Sequence, residues 1–400
     1  MIENFNPQSI HRPANVAELG DLIRRASAEG LALYPFGGGT MQHLGYTPTK
    51  PGFGVDMRAF DQVIDYPARD MTITVQAGIT IAKLQEVLAK ENQRLPIDVP
   101  QPEIATLGGA IAVNASGPRR YGYGTLRDYV IGISFMNDEG QEVKAGGRVV
   151  KNVAGYDICK LQIGALGTLG IITQVTLKVK PKPEAMGTLW LDNFGPKELT
   201  ELLDGLHRTQ TRPVAVDAVT SRSTRPEPKL AADRFSMCVL FEDSTEAVRW
   251  QVSQWKSESK YQWQNLNMSF AARYLAAFTN PLTMGLGFHA NMAPSSCSDF
   301  LQATVAFSLP PHLVCNAGNG IVYGIWNDEL PLPNAANMLT SLRQFTVQNH
   351  GNLVITRCPA EWKRELPIWG EPRGDWALMK KVKQAIDPKN LFNPGKFLVG

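Results

Sequence analysis

The sequence predicts an α+β protein of more than one domain, and three observations carry that reading. Strand-like and helix-like runs alternate through the first half, a Pro181-Lys-Pro183 break follows, and beyond it lie short alternating strands with most of the eight tryptophans. At the usual ~100–200 residues per domain, 400 residues allow roughly two to four domains. A composition of 44% hydrophobic and 19% charged residues is that of a soluble globular chain and excludes collagen-like, coiled-coil and disordered classes. Forty Lys and Arg against 37 Asp and Glu leave a formal charge of +3 with no long basic block, so no nucleic-acid partner is expected.

Taken in order, Asn15 and Glu18 form a capping box. Val16, Leu19, Leu22, Ile23 and Ala26 then mark a helix over 16–29 that stops at Gly30. Leu31 to Phe36 reads as a short buried strand running into Gly37-Gly38-Gly39-Thr40. Thr72 to Gln76 alternates as a strand, Gly78 turns, and Ile81, Leu84, Val87 and Leu88 form one helix face ending near Glu91. Val130 to Met136 pairs through Asn137-Asp-Glu-Gly140 with Gln141–Ala145 as a hairpin. Ile171, Thr173, Val175, Leu177 and Val179 line one face of a long strand, and the prolines at 181 and 183 place a boundary at residue 183. Residues 184–360 show helix-like runs near 195–207 and 244–256 and a strand over Met237–Phe241. Near the end, Asp375 is placed to cap a helix faced by Leu378, Met379, Val382, Ala385 and Ile386, which Asp387-Pro388 stops.

Cys159, Cys238, Cys297, Cys315 and Cys358 are an odd, dispersed set with no C-x-x-C pair. That argues against a disulfide framework, a structural zinc site and a cysteine-ligated iron–sulfur cluster, and for a reducing compartment. The first residues lack the basic n-region and apolar core of a secretory signal, and Leu161 to Leu177 is too short and glycine-rich to span a bilayer. A cytoplasmic location is expected, with no integral membrane segment and no metal.

Three glycine-rich segments carry the chemistry. In Phe36-Gly37-Gly38-Gly39-Thr40-Met41-Gln42, adjacent glycines after a strand allow backbone N–H groups to converge on a phosphate, although a plain glycine turn explains the loop equally well in isolation. It is neither a Walker A loop, which needs a lysine, nor a G-x-G-x-x-G fingerprint. Between Pro102 and Gly124, small residues at 108–110, 112, 115 and 117 form a stretch against which a flat ligand can lie, with Arg119 and Arg120 able to add charge. In Lys151-Asn-Val-Ala-Gly155-Tyr156 to Gly170-Ile171-Ile172, glycines at 164, 167 and 170 suggest close backbone approach to a ligand or a neighbouring chain.

In this order, PFGGGT, TLGGAIAVNASG with YGYG, and KNVAGYDICKL with GALGTLGIITQVTLKV, the sequence resembles the FAD-binding PCMH-type (vanillyl-alcohol oxidase) family over about residues 5–183. The DPKNLFNPGKF tail resembles the same family's C-terminal return, and the likeness is strongest to the FAD-binding subunits of bacterial glycolate oxidase (glycolate dehydrogenase). The resemblance implies an FAD domain of two α/β subdomains over 1–183, an α+β cap domain with an antiparallel sheet over 184–360, and a return segment over 361–400 packed on the FAD domain. It implies FAD contacts from Phe36, Gly37, Gly38, Gly39, Thr40, Met41, Gln42, Pro102, Thr106, Leu107, Gly108, Gly109, Ala112, Gly117, Tyr121, Gly122, Gly155, Tyr156, Gly170, Ile171 and Ile172. Covalently flavinylated members carry a histidine at the glycine loop; Gly39-Thr40 stand there, with His43 nearby, so non-covalent FAD is expected.

The departures from the family also bear on function. Catalytic members carry His-Ala-Gly-Asp-Gly-Asn-x-His in the cap domain, where the histidines bind a metal and hold the hydroxy acid. The matching stretch here is Asn316-Ala-Gly-Asn319-Gly-Ile-Val-Tyr323, and Leu166 replaces an acidic residue of the glycine ladder. The resemblance thus implies a subunit that oxidises glycolate to glyoxylate together with a catalytic flavoprotein subunit and an iron–sulfur subunit, with peripheral association to the membrane through that complex left open. A stand-alone FAD oxidoreductase on another hydroxy acid or polyol and a non-catalytic assembly subunit with structural FAD are the alternatives. No catalytic residue follows from the sequence.

Overall fold

Asn15 begins the fold as its spacing predicts: its side chain accepts from the Glu18 N–H at 3.0 Å, Glu18 returns to Ala14 N at 2.8 Å, and helix Val16–Ala28 follows. Leu19, Leu22, Ile23 and Ala26 are buried and pack on Leu33, Phe53, Val55 and Phe60, so the helix covers a small sheet. The computed structural model describes residues 7–48, 50–147, 157–220, 234–266, 285–327 and 330–397. These fall into two compact units. One takes Met1–Ser116, Gly124–Lys182 and Glu371–Gly400, and the other Gly117–Tyr123 and Pro183–Gly370.

The first unit holds two main sheets. Strand Gly52–Asp56 lies between Ser9–His11 and Ala32–Phe36, both parallel to it. Strands Val63–Asp65, Thr72–Gln76, Ile171–Lys178, Val130–Met136 and Glu142–Gly146 form an antiparallel sheet in that order, including the hairpin that Asn137–Gly140 predicts. The chain's end closes this unit: Leu391 and Phe392 are buried in the core, and Leu33 N–H donates to Leu391 O at 2.8 Å.

The second unit is built on one eight-stranded antiparallel sheet. Its order is Gln264–Leu266, Ala185–Phe194, Phe235–Asp243, Ala215–Thr220, His312–Asn316, Ile321–Trp326, Leu286–Asn291, Asn352–Arg357. Helices Thr245–Glu258 and Leu332–Gln348 pack on it. Trp255 and Trp263 are buried edge-to-face at 5.7 Å, while Trp250 is 47% exposed.

Two expectations need correction. Asp375 precedes helix Trp376–Ile386, but its side chain makes no cap and instead meets Arg373 at 3.3 Å, because its backbone is already helical. Leu378 is 65% exposed and Ala385 is exposed too, since the inward stripe runs through Met379, Val382, Lys383 and Ile386, about 100° round the helix. Of the glycines at 164, 167 and 170, the last two lie close to other parts of the chain. All have positive φ, and a Cβ on Gly167 would lie 2.9 Å from Asn393 Nδ2 and one on Gly170 2.7 Å from Met136 O.

Candidate functional site

Strand Ala32–Phe36 delivers the glycine loop to the start of helix Leu107–Val113. The two are so close that a Cβ on Gly37 would sit 1.9 Å from Thr106 Oγ1, and one on Gly38 would sit 1.8 Å from Ile104 O. Gly39 differs: its φ is +73° and the nearest atom to a Cβ would be 4.0 Å away, so its need is conformational. Thr106 caps the helix by accepting from Gly109 N–H at 3.4 Å. Leu107 N–H donates to Ile79 O at 2.9 Å and Gly108 N–H to Ala77 O at 2.7 Å, which ties this segment to the end of strand Thr72–Gln76.

The helix ends at Asn114, in the left-handed region with φ 51°. Here the glycine ladder joins, as Gly164 N–H donates to Ile111 O at 3.0 Å and Leu166 N–H to Ala112 O at 2.8 Å. The C-terminal tail then holds the assembly. Lys396 Nζ donates to Gln42 O at 2.6 Å, Asn393 Nδ2 to Leu166 O at 2.8 Å, and Lys383 Nζ to Thr168 O at 2.8 Å, to Phe392 O at 2.9 Å and to the Asp387 carboxylate. Asp387 in turn accepts from Leu391 N–H at 2.8 Å and Phe392 N–H at 2.9 Å. Residues 37–42, 104–114, 164–170 and 383–396 thus converge.

Of the residues expected at the site, Phe36 to Gln42, Thr106 to Gly109 and Ala112 come together here. Pro102 turns beside them with its carbonyl accepting from Ala82 N–H at 2.9 Å. Gly170, Ile171 and Ile172 follow the ladder, the last two entering the sheet opposite Met136 and Phe135. Gly117, Tyr121 and Gly122 belong to the second unit: Gly122 N–H donates to Val214 O at 3.0 Å, and Tyr121 packs on Gly318, whose Cβ would be 2.4 Å from the ring. Arg119 is held there by Glu242 at 2.7 Å, with side-chain exposures of 17% and 1%. Gly155 and Tyr156 lie outside the described residues. The sequence reading missed Gln42's tether to Lys396 and the left-handed Asn114; the Asn393-Pro-Gly-Lys396 run is the signal for the first.

Gln42 Oε1 and Asn114 Oδ1 are buried in this cradle without a hydrogen-bond partner. Such acceptors call for a ligand that brings donors. FAD, with its ribityl and ribose hydroxyls, adenine amino group and ring N–H, is a ligand of that kind.

Residues 7–146 match the FAD binding domain family, and residues 370–397 match the C-terminal domain of FAD linked oxidases. The chain carries the FAD-binding domain of the PCMH-type FAD-linked oxidases. Its cofactor is FAD. The flavin chain is 33% identical over 183 residues to glycolate oxidase subunit GlcD of Bacillus subtilis, covering 46% of itself and 39% of that protein. It is 36% identical over 135 residues to glycolate oxidase subunit GlcE of Escherichia coli, covering 34% of itself and 39% of that subunit. The matches thus span about two fifths of each of these relatives. A D-2-hydroxyglutarate dehydrogenase of Stutzerimonas stutzeri is 23% identical over 98% of this chain and 90% of its own. Among solved structures, an alkyldihydroxyacetonephosphate synthase superposes with a TM-score of 0.67 at 18% identity, covering 97% of this chain and 77% of the other, which establishes likeness of fold.

Proposed function

We propose that this flavoprotein oxidises a 2-hydroxy acid to the 2-oxo acid, working as the FAD-binding subunit of a glycolate oxidase-type complex. The observation that carries the reading is the cradle in which the glycine loop, Thr106 to Asn114 and the glycine ladder meet around the unpartnered Gln42 Oε1 and Asn114 Oδ1. Bound FAD supplies acceptance of a hydride from a carbon that bears a hydroxyl. The chain supplies position. Gly37 to Gln42 would hold the pyrophosphate, Gln42 Oε1 and Asn114 Oδ1 would accept from hydroxyl or N–H groups of the cofactor, and Lys396 tethers the loop through Gln42 O.

FAD is held without a covalent bond in this reading, because Gly39 and Thr40 offer no imidazole and the nearest histidine, His43, is buried with only 9% exposed. Hydroxy acids are the substrate class of the glycolate oxidase and D-2-hydroxyglutarate dehydrogenase relatives. All five cysteines are buried and unpaired, which supports onward transfer through a separate catalytic flavoprotein subunit and iron–sulfur subunit rather than a cluster in this chain. Among the described residues no helix is long and apolar enough to cross a membrane.

The near full-length match to a D-2-hydroxyglutarate dehydrogenase favours a second reading, a stand-alone oxidoreductase. An anaerobic absorption spectrum of the purified chain with glycolate, D-lactate and D-2-hydroxyglutarate separates the two. Bleaching by the chain alone establishes the stand-alone enzyme, and bleaching only after partner subunits are added establishes the complex. Flavin that no addition reduces, or flavin that stays with acid-precipitated protein, overturns the oxidase reading or the non-covalent attachment respectively.

A further inference from the structure

The eight-stranded sheet carries polar side chains whose hydrogen bonds are incomplete on one face. Phe288 packs on Phe300 of helix Cys297–Val305, so alternation turns its neighbour His289 to the opposite face. There His289 lies directly across from Tyr323, rings stacked at 4.7 Å and 6°. Tyr323 in turn pairs with Val314, and Asn316 is two residues further along the same face.

Asn316 is 2% exposed, and its Nδ2 donates to the fully buried Asp217 carboxylate at 2.6 Å. A carboxylate only accepts, so the amide cannot be turned round, and Asn316 Oδ1 is fixed pointing away from Asp217. That oxygen has no partner. Asn319 Oδ1, in the turn Ala317–Asn319, and His289 Nε2 are also buried without partners. Gly318, between the two asparagines, lies under the Tyr121 ring, which brings segment Gly117–Tyr123 over this end of the sheet. Arg120 in that segment is near enough to act on His289: burial first, and then the Arg120 charge, pushes the imidazole down to about 4.

A ligand must therefore offer donors to two amide oxygens and tolerate a guanidinium. A divalent cation would satisfy the oxygens and the imidazole but meets the Arg120 charge. His289 and Asn316 stand on the two strands flanking Ile321–Trp326, two strand spacings or about 10 Å apart. Glycolate is too short to reach from one to the other.

We propose that this face binds a polyhydroxy acid longer than glycolate, with its carboxylate at Arg120 and His289 and its distal hydroxyls donating to Asn316 Oδ1 and Asn319 Oδ1. The inference rests on the hydroxy-acid reading above and narrows its substrate class. The two ends of the site then have separate tasks: Arg120 recognises the acid, and the asparagine pair recognises length and hydroxylation.

The test is calorimetric titration of the FAD-loaded chain with glycolate, D-threonate and D-gluconate, and separately with Mn²⁺ alone. Expected are binding of at least one aldonate tenfold or more tighter than glycolate, loss of that preference in Asn319→Ala, and loss of all three acids in Arg120→Met with partial return in Arg120→Lys. Thermal melting and retained flavin confirm that each variant is folded. Equal binding of glycolate and the aldonates, no binding of any acid by a yellow folded chain, or Mn²⁺ binding in place of the acids each overturns the proposal while leaving the hydroxy-acid reading to its own spectral test. A chain that holds no FAD fails that earlier reading instead.

Discussion

Gly38→Ala separates two reasons for a glycine in a flavin loop. A glycine is usually explained by the ligand, whose phosphates a side chain would displace, but the added Cβ would lie 1.8 Å from Ile104 O. Optimal carbon contacts are near ~3.5 Å, so the loop or the 104–106 segment must move before any ligand arrives. Overpacking of this kind costs about 1–3 kcal/mol. In a unit of 150–250 residues, each kcal/mol lowers the melting point by about 2–4 °C. Gly39→Ala is the control, because its Cβ meets nothing closer than 4.0 Å and only the φ of +73° penalises it, by about 1–2 kcal/mol. Differential scanning fluorimetry of the apo chains and fluorescence titration with FAD read both effects. Gly38→Ala should melt below wild type without FAD and should also bind FAD weakly. An apo Gly38→Ala chain that melts like wild type and still fails to bind FAD would refute the reasoning, and the clash would then be with the cofactor.

Lys383→Met leaves the 1%-exposed Asp387 without its cation, although Leu391 and Phe392 N–H still donate to it, and should destabilise the chain by about 3–5 kcal/mol in a urea titration. Because Lys383 also holds the carbonyl of Thr168, FAD affinity should fall with it. Arg119→Leu removes the guanidinium 2.7 Å from Glu242, whose side chain is 1% exposed, and should lower the stability of the second unit in the same urea titration, with Arg119→Lys recovering part of the loss. For pH, His289 has a folded pKa near 4 against an ordinary 6.5, so the unfolded chain takes up the proton first as pH falls. Its contribution is complete above pH 6.5 and is lost between about 6.5 and 4. After allowance for the part of the residue that reaches solvent, it amounts to about 2 kcal/mol. His289→Phe should flatten that part of the stability–pH curve measured by denaturant titration.

What the sequence made legible was local. Asn15 and Glu18 lie three residues apart, and their reciprocal cap forms as their spacing requires. Asn137 to Gly140 likewise turns one strand back on the next. Asp375 shows the limit even there: the right residue type preceded the helix, but a helical backbone at that residue takes its side chain out of reach of the first turn. The rest depended on contacts between distant segments. Nothing in Gly38 announces Ile104, and nothing in Gly167 announces Asn393, so both glycines read as ligand signals when each first makes room for another part of the chain. The same holds for Asn316. Its sequence shows an amide and nothing of its direction; the strand pairing with Asp217 fixes which way that amide faces and so makes it an oriented acceptor. A residue's type limits the chemistry it can do, and its long-range partner decides which atom remains to do it.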